Sequence, residues 1–147
     1  KIKLHMIGKL QSNKAKSAVQ IFDYIHSLDS QKLADILCKS ENAINKKLKY
    51  FIQINVGNET QKSGIRFQEL DQFYTYCIKE LKINILGLMM IPPIEIKNDK
   101  YFKILLEANA SLGLKDLSMG MSSDYLTALK YDANFLRIGS LIFGKRG

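Results

Sequence analysis

Tyr50-Phe51-Ile52-Gln53-Ile54-Asn55-Val56, a patterned stretch from Leu70 to Leu81, and Ile83-Asn84-Ile85-Leu86-Gly87-Leu88-Met89-Met90-Ile91 together decide the fold. The first run is rich in β-branched and aromatic residues and predicts a strand. A polar loop follows from Gly57 to Gly64. In the middle stretch, Leu70, Phe73, Tyr74, Cys77, Ile78 and Leu81 recur at helical spacing and make one continuous apolar stripe. The third run is almost wholly apolar, as a strand covered on both faces should be, and Pro92-Pro93 ends it. Strand, helix and strand joined by short connections form a βαβ unit, which requires parallel strands.

The same alternation extends in both directions. Upstream, Leu4 to Gly8 reads as a short buried strand, and Ser12-Asn13 are cap residues for a helix through about Val19. A second apolar run, Ile21 to Leu28, ends at Asp29-Ser30, which can cap a helix with Leu33, Ile36 and Leu37 on one face. Downstream, a helix around 99–112 ends at Gly113, a plausible C′ residue. A strand from Leu117 to Met121, a helix from Ser122 to Tyr131, and a last strand from Phe135 to Gly139 complete the pattern. The apolar tail Leu141-Ile142-Phe143-Gly144 is expected to dock on the domain.

About six strands alternating with about five helices, with no linker, predict a single α/β domain over 1–147 with helices outside a parallel sheet. A doubly wound open sheet and a (β/α) barrel both fit. A full eight-stranded barrel needs roughly 250 residues and rarely fewer than about 200. At 147 residues the chain is therefore read as an open sheet or an incomplete barrel.

Composition narrows the function classes. The chain carries 22 Lys+Arg against 14 Asp+Glu, a net charge of +8. The lysines are scattered, with only Lys46, Lys47 and Lys49 close together, and aromatic residues do not interleave with them. That argues for a solvated surface and against a nucleic-acid platform. There is no apolar run of membrane-spanning length and no visible signal peptide; starting at Lys1 fits a processed chain or a fragment. Cys38 and Cys77 are far apart, without CxxC spacing, and read as buried thiols of a reducing cytosol, with no metal site. His5 and His26 read as satisfied structural histidines, and Met89-Met90 as core filling.

Three segments could bind an anion. Gly57-Asn58-Glu59-Thr60-Gln61-Lys62-Ser63 fails as a nucleotide-phosphate loop because Gln61, not glycine, precedes Lys62. Ser118-Met119-Gly120-Met121-Ser122 lies between a strand and a helix, where small residues let backbone amides approach an anion; Ser122 or Ser123 could equally be a simple helix cap. Arg137-Ile138-Gly139-Ser140 is a cation at a strand end followed by glycine: either a second phosphate turn or a surface arginine beside a turn. In barrels, loops after the last two strands often hold phosphate. Ser122, Gly139 and Arg137 are therefore expected to converge at the C-terminal edge of the sheet.

Taken in order, five motifs resemble those of the pyridoxal phosphate homeostasis proteins, whose barrel resembles the N-terminal domain of alanine racemase. They are His5-Met6-Ile7-Gly8-Lys9-Leu10-Gln11-Ser12-Asn13-Lys14, Asn55 to Gly64, Gly87-Leu88-Met89-Met90-Ile91-Pro92, Leu117 to Ser122, and Arg137-Ile138-Gly139 through Ile142-Phe143-Gly144. The resemblance implies a partial (β/α)8 TIM-type barrel holding strands three to eight. It also implies non-catalytic binding of pyridoxal 5′-phosphate, in cofactor storage or delivery, in the cytoplasm. Ser118, Met119, Ser122, Ile138 and Gly139 would meet the phosphate, and Arg137 would face the pyridine nitrogen. Arginine there keeps that nitrogen unprotonated and weakens the ring as an electron sink.

Two departures from the family pattern stand out. Leu4 replaces a tryptophan, and no lysine lies in a motif matching the one that anchors the cofactor, which belongs to the first two strand units. Apoenzymes that use the cofactor are the partners the family implies, with a monomer as its full-length form. The enzyme rival is a racemase or decarboxylase of the same fold type. Missing strands also imply that Leu4–Ile7 and Phe135–Ile138 are open edges, with Met6 and Leu136 pointing inward.

Overall fold

The structure is a computed structural model describing residues 1–94, 99–145 and 147. Six parallel strands lie in the order of the chain: β1 (His5–Met6), β2 (Tyr24–Leu28), β3 (Lys49–Ile54), β4 (Asn84–Met90), β5 (Asp116–Met121) and β6 (Phe135–Arg137). Between them run α1 (Ala15–Ile21), α2 (Gln31–Ile44), α3 (Phe67–Thr75), α4 (Lys100–Ser111) and α5 (Tyr125–Lys130), and α6 (Ser140–Phe143) closes the chain.

The sheet is strongly curled. Six flat strands at about 4.8 Å spacing would separate the outer two by roughly 24 Å. The rings of His5 on β1 and Phe135 on β6, the outermost strands, instead have centroids 6.1 Å apart. An open doubly wound sheet is thereby excluded, and the molecule is a half-barrel. Register shifts supply local bending: one extra residue lies in β2 between Ile25 and Leu28, one in β4 opposite Tyr50/Phe51, and one in β5 between Ser118 and Met121.

Glycine is required at two points of this curvature. A Cβ on Gly87 would lie 1.6 Å from the Asp116 carbonyl oxygen of β5. Gly120 has φ +99°, and its Cβ would meet Ala128 of α5 at 2.7 Å.

Alternation sorts the side chains onto two faces. Leu28, Tyr50, Ile52, Leu88, Met90, Leu117 and Met119 join the helices in one continuous core. His5, Tyr24, His26, Phe51 and Phe135 turn the other way and pack ring against ring: His5 stacks on Tyr24 at 4.1 Å, His26 on Phe51 at 4.5 Å, and Phe51 meets Phe135 edge-on at 4.9 Å. These rings form the floor of the barrel interior. Met6 and Leu136, expected to point inward, pack partly buried against the helix-side core, because the inward positions of their strands belong to His5, Phe135 and Arg137.

Several local expectations hold. The Ser30 hydroxyl accepts from the Leu33 amide at 3.2 Å and caps α2, and Gly113 follows α4 with φ +71°. Others differ. The stripe from Leu70 to Leu81 changes after Thr75 into a wider π turn over Tyr76–Glu80, in which the Leu81 amide reaches the Tyr76 carbonyl. β1 is half-buried rather than buried. Neither Ser122 nor Ser123 is the N-cap of α5; Asp124 stands there. The C-terminal tail does not dock: Leu141, Ile142 and Phe143 are 61%, 67% and 86% exposed.

The basic cluster is occupied locally. Lys46 donates to the carbonyls of Val19, Gln20 and Phe22 at the end of α1, Lys47 pairs with Glu41 at 3.5 Å, and Lys49 lies over the Tyr24 ring. Among the described residues no helix is long and apolar enough to cross a membrane, and no group of metal-ligating side chains occurs.

β1 and β6 each have a neighbour on one side only, and the exposed α6 lies beside β6. Unpaired parallel edges next to apolar side chains favour self-association. On size-exclusion chromatography the 16.8 kDa chain is expected to elute larger than a monomer. Phe143→Ser should shift it toward the monomer. A monodisperse monomer with a cooperative thermal transition would show that the open edges carry no such liability.

Candidate functional site

The strand C-termini bring two motifs together. β5 ends at Met121, paired in register with Arg137 at the end of β6. Beyond them, the Ser122 hydroxyl accepts hydrogen bonds from the amides of Gly139 at 3.2 Å and Leu141 at 3.1 Å. Ser122 thus links the β5–α5 turn to the β6–α6 turn, which explains why it does not cap α5. Asp124 holds that turn: its carboxylate accepts from the Met121 amide at 2.7 Å. A Cβ on Gly139 would meet nothing within 4 Å, so the space beside its α-carbon is open.

Arg137 is the cation of the site. Nη1 donates to Ser118 Oγ at 2.8 Å and Nη2 to the Met90 carbonyl at 2.7 Å, tying β6 to β5 and β4. Among the described residues no carboxylate stands within ion-pair distance of it. Burial lowers its pKa to about 10, opposed by the charge of Asp124, so it remains a cation at neutral pH. Two of its five N–H groups are used in these bonds, and among the described residues the others have no acceptor.

Behind Ser118 lies a feature the sequence reading missed. Ser118 is fully buried, and its Oγ is 2.7 Å from His26 Nδ1; His26 Nε2 is in turn 2.9 Å from His5 Nδ1. The two histidines are structural, but they belong to the site. Burial first, then the charges of His5 and Arg137, lower the His26 pKa to about 3. The signal was available: Tyr24 and His26 are two apart on one strand, hence on one face.

The nominated residues divide by face. Arg137 meets Ser118 and the Gly139 amide meets Ser122, with half-buried Ile138 between Arg137 and Gly139 in the chain. Met119 does not join them, because alternation sends its fully buried side chain into the helix-side core. A further cavity of about 310 Å³ opens at the mouth of the barrel beside Gly8, Lys9, Gln53, Asn55 and Lys62.

His26 makes the site acid-sensitive. Its folded pKa lies below the ordinary 6.5, so the unfolded chain takes up a proton that the native one does not. Stability from the neutral ring is complete above pH 6.5 and is lost as pH falls toward 3. At pH 5 the loss should reach roughly 2 kcal/mol. Urea denaturation at fixed protein concentration, at pH 7.5 and 5, should show this component in the native chain and not in His26→Gln.

The chain is similar to several known proteins. The family model described as alanine racemase, N-terminal domain, matches residues 1–147. The pyridoxal phosphate homeostasis protein of Aquifex aeolicus is 38% identical over 97% of this chain, and that of Escherichia coli K12 is 36% identical over 97%. The chain spans 66% and 64% of the length of these two relatives. Among solved structures, PipY of Synechococcus elongatus without its ligand superposes with a TM-score of 0.91 at 33% identity, covering 97% of this chain and 71% of that one. The same protein with PLP bound gives 0.89. An alanine racemase of Clostridium difficile, at 13% identity and a TM-score of 0.72, covers 99% of this chain and 41% of that one and shares the fold alone. The chain belongs to the alanine racemase N-terminal domain family, together with the proteins named pyridoxal phosphate homeostasis protein.

Proposed function

We propose that this chain is strands three to eight of a pyridoxal 5′-phosphate-binding barrel that carries or stores the cofactor in the cytoplasm rather than catalysing with it. The observation that carries the reading is that Ser122 Oγ ties the turn after β5 to the Gly139 and Leu141 amides, directly beyond the register pair of Met121 and Arg137. The homeostasis relatives and the PLP-bound neighbour support it.

The residues present fit the group. The Ser122 hydroxyl, whose oxygen already accepts from the Gly139 and Leu141 amides, would donate its proton to the phosphate, with the Ser118–Ser122 turn, Gly139 and Ile138 shaping the cradle. Arg137 would donate to the pyridine nitrogen. When bound, the cofactor supplies an aldehyde and an electron-withdrawing ring, but a nitrogen facing an N–H donor stays unprotonated and withdraws electrons weakly. That suits a carrier. Apoenzymes that need the cofactor are the partners this role implies, and the full-length form is read as a monomer. The two buried free thiols accord with a reducing compartment.

The test is titration of the purified chain with pyridoxal 5′-phosphate. Binding is expected to be saturable but non-covalent, since no lysine here sits in the family's anchoring motif. Borohydride reduction and mass spectrometry should then show no single pyridoxyl-lysine. A stoichiometric adduct at one lysine would contradict this. Gly139→Leu fills open space, so it should leave stability within about 0.5 kcal/mol and weaken binding about tenfold. Unchanged binding in that variant would remove the phosphate from this turn.

A further inference from the structure

We propose that His26 positions Arg137 through Ser118, and that His5 completes a one-directional hydrogen-bond chain from the barrel interior to the β1 edge. Its consequence for the ligand rests on the cofactor reading above; the direction of the chain does not.

The direction follows from counting protons. Arginine can only donate, so Ser118 Oγ accepts from Arg137 Nη1 at 2.8 Å. The Ser118 hydroxyl proton also needs an acceptor, because the residue is fully buried and an unpaired buried donor is costly. Among the described residues, its other hydrogen-bonding neighbour is His26 Nδ1 at 2.7 Å. Were that nitrogen protonated, two donors would face Oγ and the hydroxyl proton would have no acceptor. Ser118 therefore donates to His26 Nδ1. The one proton of the neutral His26 ring then sits on Nε2 and is donated to His5 Nδ1 at 2.9 Å. One arrangement satisfies every member, and both rings carry their proton on Nε2.

The surroundings hold His26 in that neutral form. Arg137 faces it from β6 and His5 from β1, its ring stacks on Phe51 of β3, and Phe135 lies edge-on at 5.8 Å. His5 stacks on Tyr24 and feels the negative charge of Asp23, and Asp124 acts on Arg137. By taking the serine proton, His26 turns the Ser118 lone pairs toward Arg137. The guanidinium is then held between two fixed acceptors, Ser118 Oγ and the Met90 carbonyl.

Two substitutions separate this role from packing. Asn at position 26 keeps an acceptor where Nδ1 stands but cannot reach His5. Gln keeps a group near the Nε2 position and loses the acceptor for Ser118. Both remove the ring stack on Phe51. In the unliganded ¹⁵N-labelled chain at pH 7, His26→Asn should preserve resolved, slowly rotating Arg137 guanidinium resonances, whereas His26→Gln and Ser118→Ala should average them. Affinity for pyridoxal 5′-phosphate should stay within about twofold in His26→Asn and fall about tenfold in the other two, one hydrogen bond to a charged group. Equal losses in His26→Asn and His26→Gln would overturn the proposal. So would a wild-type long-range ¹H–¹⁵N spectrum with the His26 proton on Nδ1, a test that needs no variant to fold. If the wild-type chain binds no cofactor while the tautomer and resonances behave as stated, the cofactor reading fails and the positioning role stands.

Discussion

A guanidinium set into the wall of a barrel, with no carboxylate among the described residues at ion-pair distance, constrains everything around it. Burial lowers the Arg137 pKa to about 10 and does not discharge it, so neighbours must supply oxygen acceptors at fixed positions. Two do: the Ser118 hydroxyl on β5 and the Met90 carbonyl on β4. Both depend on strand curvature. The extra residue between Ser118 and Met121 brings Ser118 opposite Phe135 and Met121 opposite Arg137, and the close approach of β4 to β5 at Gly87 leaves no room for a Cβ. The same curvature draws His5 and Phe135 within ring contact across the interior.

The interior is layered along the strands. At the bottom, aromatic and histidine rings close the floor in stacked and edge-on contacts. Within that floor His26 hydrogen-bonds Ser118, which lies in register with Phe135. At the top, the Ser122 bridge joins the two turns, with open space beside the Gly139 α-carbon. Polarity thus rises toward the strand C-termini, the end at which parallel barrels bind their ligands.

Much of this was legible in the sequence. Period-2 and helical spacings located the strands and helices, and the order of Ser118–Ser122 and Arg137–Gly139 in consecutive units anticipated their convergence. Barrel and open sheet could not be separated by periodicity, because curl arises from bulges whose extra residues leave little trace in hydropathy. The histidines were read singly: that His26 meets Ser118, 92 residues away, is a property of the closed sheet. Met119 was grouped with the site by its motif, although strand alternation assigns it to the opposite face. The tail was expected to dock because it is apolar, yet α6 presents Leu141, Ile142 and Phe143 outward beside an unpaired edge. Composition alone cannot say which side of a four-residue helix faces the core.

In the proposed function, the turns after β5 and β6 form one cofactor cradle. Amide chemical-shift mapping of the labelled chain during addition of pyridoxal 5′-phosphate tests it most directly. The largest shifts should fall on the Gly139 and Leu141 amides and on the Met121–Ser123 turn, with Arg137 side-chain resonances moving alongside. Shifts centred instead on the lysine cluster at Lys46, Lys47 and Lys49, or no shifts at ligand excess, would contradict it.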